Sequence, residues 1–222
     1  TTISKCSRPG IVMPAHLYGY VRDYPKTQKI ARANGWFILE NDSTFSKASF
    51  PAYEQLPAFG DAVLVSFGDG KTLTAGGGGA VVVNDPGLAS DLKRKGSDFS
   101  PLSKMAEDID DYFNSLVRSL RTCPDESKNL SELIEQLLPY QETEFRYGFP
   151  ESLLQSLHAA LKQFPRMAME RRKKADLWCK HLAGLSEKLV LPDHEQPVPC
   201  RYMIRLGEGR DRIVSGLRAA NI

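Results

Sequence analysis

Three side chains of different chemistry follow three apolar runs. Asp42 closes WFILEND, Ser66 stands near the end of DAVLVSF, and Lys71 comes five residues later inside SFGDGKTLTAGGGGAVVV. A fourth, His16, follows the apolar start of GIVMPAHLYG. Gly70-Lys71-Thr72 matches the close of a phosphate-binding P-loop. That motif needs a glycine five places before Gly70, and position 65 is Val65. Lys71 therefore has two other readings. It is a surface lysine in a glycine-rich turn, or a buried amine that does chemistry.

A carboxylate, a hydroxyl and an amine at adjacent strand ends are the groups that pyridoxal 5'-phosphate requires. Its aldehyde takes a lysine amine, and its ring nitrogen takes an aspartate that keeps it protonated and electron-withdrawing. Its phosphate takes hydroxyl and backbone N–H donors. The alternative is that these residues are ordinary strand-end polar groups.

The elements that must position them are legible as apolar runs and helical faces. GIVMPAHLYG, WFILEND, DAVLVSF and GAVVVND read as four buried strands, and TQKIARANG reads as a short helix stopped by Gly35. Continuous apolar strands separated by helical or long connections imply a mostly parallel sheet covered on both faces. In such a sheet functional groups gather at strand ends. PGLASDLKRKG and KMAEDIDDYFNSLVRSL follow as helices, the second with one apolar face, and LSELIEQLL as a further short one. ESLLQSLHAALKQF and MAMERRKKADLWCKHLAGL form a helical region that Pro165 is expected to interrupt. LVLPDHEQPVP reads as a linker, CRYMIRL as a strand and GRDRIVSGLRAANI as a helix. The fold class expected is α/β: a three-layer α/β/α sheet domain, with part of a small C-terminal α+β domain. The boundary falls between residues 1–185 and 186–222.

Composition sets outer limits. The chain has 222 residues, 41% hydrophobic and 25% charged, with net charge +2. That balance points away from nucleic acid, and no apolar run approaches the roughly 20 residues of a membrane span. Arg171 to Lys174 read as one solvated helix face. Cys6, Cys123, Cys179 and Cys200 are widely spaced, as are His16, His158, His181 and His194. That pattern predicts reduced thiols in a cytoplasmic protein and no metal site. The chain begins with Thr1, which reads as a processed or excised piece.

PAHLYG, FILENDS, GDAVLVSFGDGKTLTAGGGGAVVVND and LASDLKRKG together resemble the DegT/DnrJ/EryC1 family of pyridoxal-phosphate-dependent aminotransferases. The resemblance covers Ile11 to about Lys95 and resumes more weakly from Phe145. It implies the fold of aspartate aminotransferase. It also implies a homodimer, and amino transfer from glutamate to a keto sugar on a nucleotide carrier. By position, Lys71 matches the lysine that carries the cofactor and moves the proton. Asp42, 29 residues earlier, matches the partner of the pyridine nitrogen. Ser66 matches a phosphate-contacting serine, and His16 a histidine beneath the cofactor. His16 reads equally well as a packed core histidine.

The chain departs from the family at Asn41-Asp42-Ser43-Thr44-Phe45, where members usually carry Glu-Asp-Ala-Ala-Gln. It departs again at Phe145-Arg146-Tyr147, where they carry Asn-Tyr-Arg. Phe45 could stack on a ring but cannot donate a hydrogen bond. Residues from about 100 to 140 read as a helical insertion. The chain is also expected to be truncated at both ends, without the members' N-terminal phosphate loop and ring-stacking aromatic. These departures leave open an aminotransferase for a cyclitol or an amino acid. They also leave open a degenerate paralogue that acts as a binding partner.

Overall fold

The computed structural model describes residues 9–20, 24–45, 60–100, 104–122, 132–136, 138–139, 147–185, 189–190 and 200–220. The chain divides into two compact units. One is Thr1–Asn84 with Gln155–Ile222, and the other is Asp85–Leu154.

The first unit is built on a four-stranded sheet in the order β1 (Ile11–Val12), β2 (Phe37–Asn41), β3 (Ala62–Ser66), β4 (Gly79–Val83). β1 pairs parallel to β2, β2 parallel to β3, and β3 antiparallel to β4. The expected mostly parallel sheet with helices is therefore present. Helix α1 (Pro25–Ala33) links β1 to β2. Pro25 presets its first turn, and Gly35 at φ +65° ends it in a conformation that favours glycine. Ala31 is the helix's fully buried contact. The Trp36 ring lies about 3.1 Å from where a side chain at Gly10 would start. Asp61 anchors the start of β3 on β2. Its carboxylate accepts the Ile38 N–H at 2.7 Å and pairs with Arg32.

β4 departs from expectation. Its run of valines suggested a buried strand, yet Val81 and Val82 are 46% and 53% exposed. Among the described residues β4 is the last strand in the order, with a neighbour on one side only, so its apolar character reflects β propensity more than burial. Its join to β3 is close. A Cβ at Gly79 would lie 2.5 Å from the Val65 carbonyl oxygen, nearer than any side chain can sit.

The glycine-rich connection between β3 and β4 is a packed structure. Leu73 is fully buried, and Phe67, Thr72 and Ala75 are buried beside it in the chain. Burying a leucine contributes about 2 kcal/mol. The Phe67 N–H donates to Gly78 O at 2.9 Å, and the Ala75 N–H donates to Phe67 O at 2.8 Å. Glycines 70, 76 and 78 supply the left-handed turns that let so short a segment fold onto itself.

Helix α4 (Glu151–Leu182) runs unbroken through Pro165, against the expected interruption. Proline there removes one helical hydrogen bond. Phe164 and Ala168, buried on either side of it, hold the helix by packing. LVLPDHEQPVP is not wholly linker. Leu189–Val190 (β5) pairs antiparallel with Arg205–Leu206 (β6), because two apolar residues suffice for a two-rung ladder. Helix α5 (Arg210–Ala219) follows. CRYMIRL contributes only its last two residues to strand.

In the second unit, Pro86–Gly96 is helix α2 and Lys104–Thr122 is helix α3. Asp85 caps α2 by accepting the Leu88 N–H at 2.6 Å, and Lys93, Arg94 and Lys95 in its last turn complement the helix dipole. Residues 132–136 are helical too.

Gly79→Ala is expected to lower stability by about 1–3 kcal/mol, as overpacking does. Gly96→Ala, where the added methyl meets open space, is expected to leave stability unchanged or slightly raised. Urea denaturation of the two variants side by side measures the contrast.

Candidate active site

The site begins where β1 and β2 run out. The strands keep pairing past their ends. The Asn41 N–H donates to Pro14 O at 2.8 Å, and the His16 N–H to Asn41 O at 3.0 Å. That extension sets His16 over β2. Side chains on a strand alternate faces, so Ile38, Glu40 and Asp42 share one face, and all three are buried. His16 Nε2 lies 3.2 Å from Glu40 Oε2, with both side chains fully buried. Which of the two atoms donates depends on the imidazole tautomer.

The opposite face of the same tip carries Asn41 and Ser43. The Ser43 N–H donates to Asn41 Oδ1 at 3.1 Å, a local turn typical of asparagine. The Asp42 N–H donates to Leu64 O at 2.9 Å, and Asp42 O accepts the Phe45 N–H at 2.8 Å. Thr44 Oγ1 donates to His16 O at 3.2 Å, closing the turn onto the β1 extension.

Lys71 reaches this turn from the glycine-rich loop. Its Nζ lies 3.4 Å from Ser43 Oγ, and the residue is half-buried. A cleft of about 230 Å³ opens here. It is lined by His16, Tyr18, Asn41, Ser43, Lys71 and Arg201, among others. The volume is below the roughly 300–1,000 Å³ of a pocket for a drug-sized ligand, so it takes a small molecule or part of a larger one. Tyr18, on the rim, holds φ +61°, a strained backbone for a bulky residue and a common mark of a functional loop.

Of the four residues singled out from sequence, Lys71 and His16 line the cleft. Asp42 does not, although both its neighbours do, and its carboxylate is buried directly behind them. Ser66 lies at the tip of β3 outside the lining, and its Oγ accepts the Gly68 N–H at 3.4 Å. Phe45 does not face the cleft. At φ +57° its ring packs edge-on against Phe164, with centroids 5.0 Å apart. Arg146 and Phe145 lie outside the described residues. Sequence reasoning missed Glu40, whose signal was a charged residue inside an apolar strand. It missed Ser43 as the lysine's partner, and it missed Cys200 and Arg201, which arrive from 130 residues away in sequence.

Among the described residues there is no group of three or more potential metal ligands, and no helix long and apolar enough to cross a membrane. The residues do fit pyridoxal phosphate. An amine stands on the cleft wall, and a buried carboxylate lies one residue from the amine's hydrogen-bond partner. The buried Thr72 hydroxyl has no hydrogen-bond partner among the described residues. A buried hydroxyl without a partner is costly unless a ligand satisfies it.

Residues 3–119 match the DegT/DnrJ/EryC1/StrS aminotransferase family. Over 86 residues the chain is 29% identical to a GDP-perosamine synthase of Caulobacter vibrioides, covering 39% of this chain and 23% of that protein. In fold it is similar to DesI, crystallised in the presence of its TDP-sugar product. The TM-score is 0.65 at 19% identity, over 98% of this chain and 48% of that one. It is likewise similar to an E. coli GDP-4-keto-6-deoxy-D-mannose-3-dehydratase with bound hydrated PLP. That TM-score is 0.64 at 15% identity, over 100% of this chain and 54% of that one. The chain thus spans about half the length of these solved relatives.

Breaking a buried pair by removing one member costs about 3–5 kcal/mol. His16→Ala and Glu40→Ala are each expected to destabilise on that scale. The double variant is expected to fall short of their sum by more than 1 kcal/mol, since residues in contact couple. A thermodynamic cycle from urea unfolding measures it.

Proposed function

This chain belongs to the DegT/DnrJ/EryC1/StrS aminotransferase family, and from that premise we propose that it serves a pyridoxal-phosphate-dependent aminotransferase acting on a nucleotide-linked keto sugar. Glutamate is the amino donor in this reading. The observation that carries it is the placement of Lys71. Its amine stands on the wall of a small cleft, 3.4 Å from Ser43 Oγ and one residue along from a buried aspartate.

Each residue has a role in this reading. Lys71 holds the cofactor and carries the proton to and from the reacting substrate carbon, through Nζ. Ser43 Oγ orients that amine and limits its freedom, which shortens the search for the reactive geometry. Asp42 takes the pyridine-nitrogen role in this reading from its match to the family's motif, and its carboxylate is buried behind the cleft lining. When bound, pyridoxal phosphate supplies the electron sink for the carbanion. Ser66 takes the phosphate-contact role in this reading from its match to the family's motif. His16 acts through position: its bond to Glu40 holds the floor of the cleft. The substrate classes named for the relatives, GDP-linked and TDP-linked sugars, support a sugar nucleotide.

The domain division at about residue 185, the homodimer and the cytoplasmic setting belong to the same proposal.

The test is mass mapping after incubation with pyridoxal phosphate and borohydride reduction. The expected result is a covalent adduct on Lys71 that is absent from Lys71→Ala. A folded protein with no adduct at Lys71 would overturn the reading.

A further inference from the structure

Arg201 stands in the same cleft as Lys71 with no structural duty for its charge. Among the described residues its guanidinium makes no hydrogen bond and no ion pair. Its Nη2 lies 3.8 Å from where a side chain at Gly70 would begin, so the charge is held beside the turn that carries Lys71. An exposed arginine of this kind is ordinarily a solvated surface group. Here the main chain beneath it is fastened on three sides.

The Cys200 and Arg201 N–H groups both donate to the Tyr18 carbonyl, at 2.9 and 3.2 Å. Arg171 Nη1, from α4, donates to Cys200 O at 3.1 Å. Cys200 Sγ donates to Gly70 O at 3.4 Å. One residue further, Tyr202 OH lies 2.8 Å from the buried Cys179 Sγ of α4. Residues 200–202 are thus bound to the Tyr18 turn, to the lysine loop and to a long helix. That much anchoring fixes the base of one side chain, and the side chain is a cation.

We propose that Arg201 is a specificity-determining residue that grips an oxyanion of the substrate entering beside Lys71. This rests on the aminotransferase reading above and deepens it. A guanidinium offers parallel N–H donors that match a carboxylate or a phosphate in two bonds at once. Lys71, which holds the cofactor in that reading, lines the same cleft. Asp69, the carboxylate on the lining, forms no ion pair with either residue and lies on an exposed turn. It disfavours anions bound at its own edge and so restricts where the anion sits. The oxyanion has two sources, the carboxylate of an amino-acid donor or the diphosphate of a sugar nucleotide.

The experiment is calorimetric titration of the protein with glutarate and, separately, with inorganic pyrophosphate. Wild type, Arg201→Met and Arg201→Lys are compared. Arg201 is exposed and its anchoring uses main-chain atoms, so both variants keep the fold, which circular dichroism checks. Wild type is expected to bind at least one of the two anions. Arg201→Met is expected to weaken that binding tenfold or more. Arg201→Lys is expected to restore part of it, because lysine keeps the charge and loses the fork. Binding of glutarate alone assigns the carboxylate, pyrophosphate alone assigns the diphosphate, and either outcome supports the proposal. Equal affinity in wild type and Arg201→Met, or no binding of either anion to wild type, overturns it. Neither probe can react at Lys71, so the borohydride assay judges the cofactor reading independently.

Discussion

The buried contact between His16 and Glu40 sets the geometry on which the cleft depends. Two ionisable side chains removed from water tolerate little displacement, because each loses a buried polar partner if the other moves. The contact therefore locks the extension of β1 against β2. It requires pairing to continue through Asn41 and His16 beyond the regular strands. Everything at the tip follows from that register. Glu40 and Asp42 turn to the buried face, while Asn41 and Ser43 turn to the cleft, and Ser43 meets Lys71.

The second wall is built by different means. The glycine-rich loop is pinned from below by Leu73 and Ala75, so Lys71 extends from a rigid base even though glycines surround it. Residues 200–202 are held over the loop by main-chain bonds to Tyr18 and by side chains of α4. The backbone is strained on the cleft rim at Tyr18, and β3 and β4 are tightly packed behind the lysine loop at the Gly79–Val65 approach. That pattern suits a site whose reactive amine must be held still while a small molecule enters.

Much of the fold was legible because its signals are local. Apolar runs gave the strands, Pro25 and Gly35 bracketed α1, and Asp85 with Pro86 announced α2. Four expectations failed where tertiary context overrode a local rule. Pro165 was expected to break a helix that packing at Phe164 and Ala168 carries through. The valines of β4 were expected to be buried, and they line an edge. The stretch around Leu189 was expected to be linker, and two of its residues pair with β6. Phe45 was expected to be available to a cofactor ring, and it is spent on Phe164.

What the sequence by itself determined is the chemistry in supply: a lysine in a glycine-rich loop, an aspartate 29 residues before it, and the family to which that order of motifs points. Those depend on residue identity and spacing, which the chain states directly. The tertiary structure alone decided which groups share a cleft. It placed Lys71 and His16 on the lining, left Asp42 behind Asn41 and Ser43, and kept Ser66 outside. It also brought Arg201 from the far end of the chain to stand over Gly70. The reason is physical: period-two alternation sends neighbouring residues to opposite faces, and long-range hydrogen bonds join segments whose separation in sequence carries no signal of their meeting.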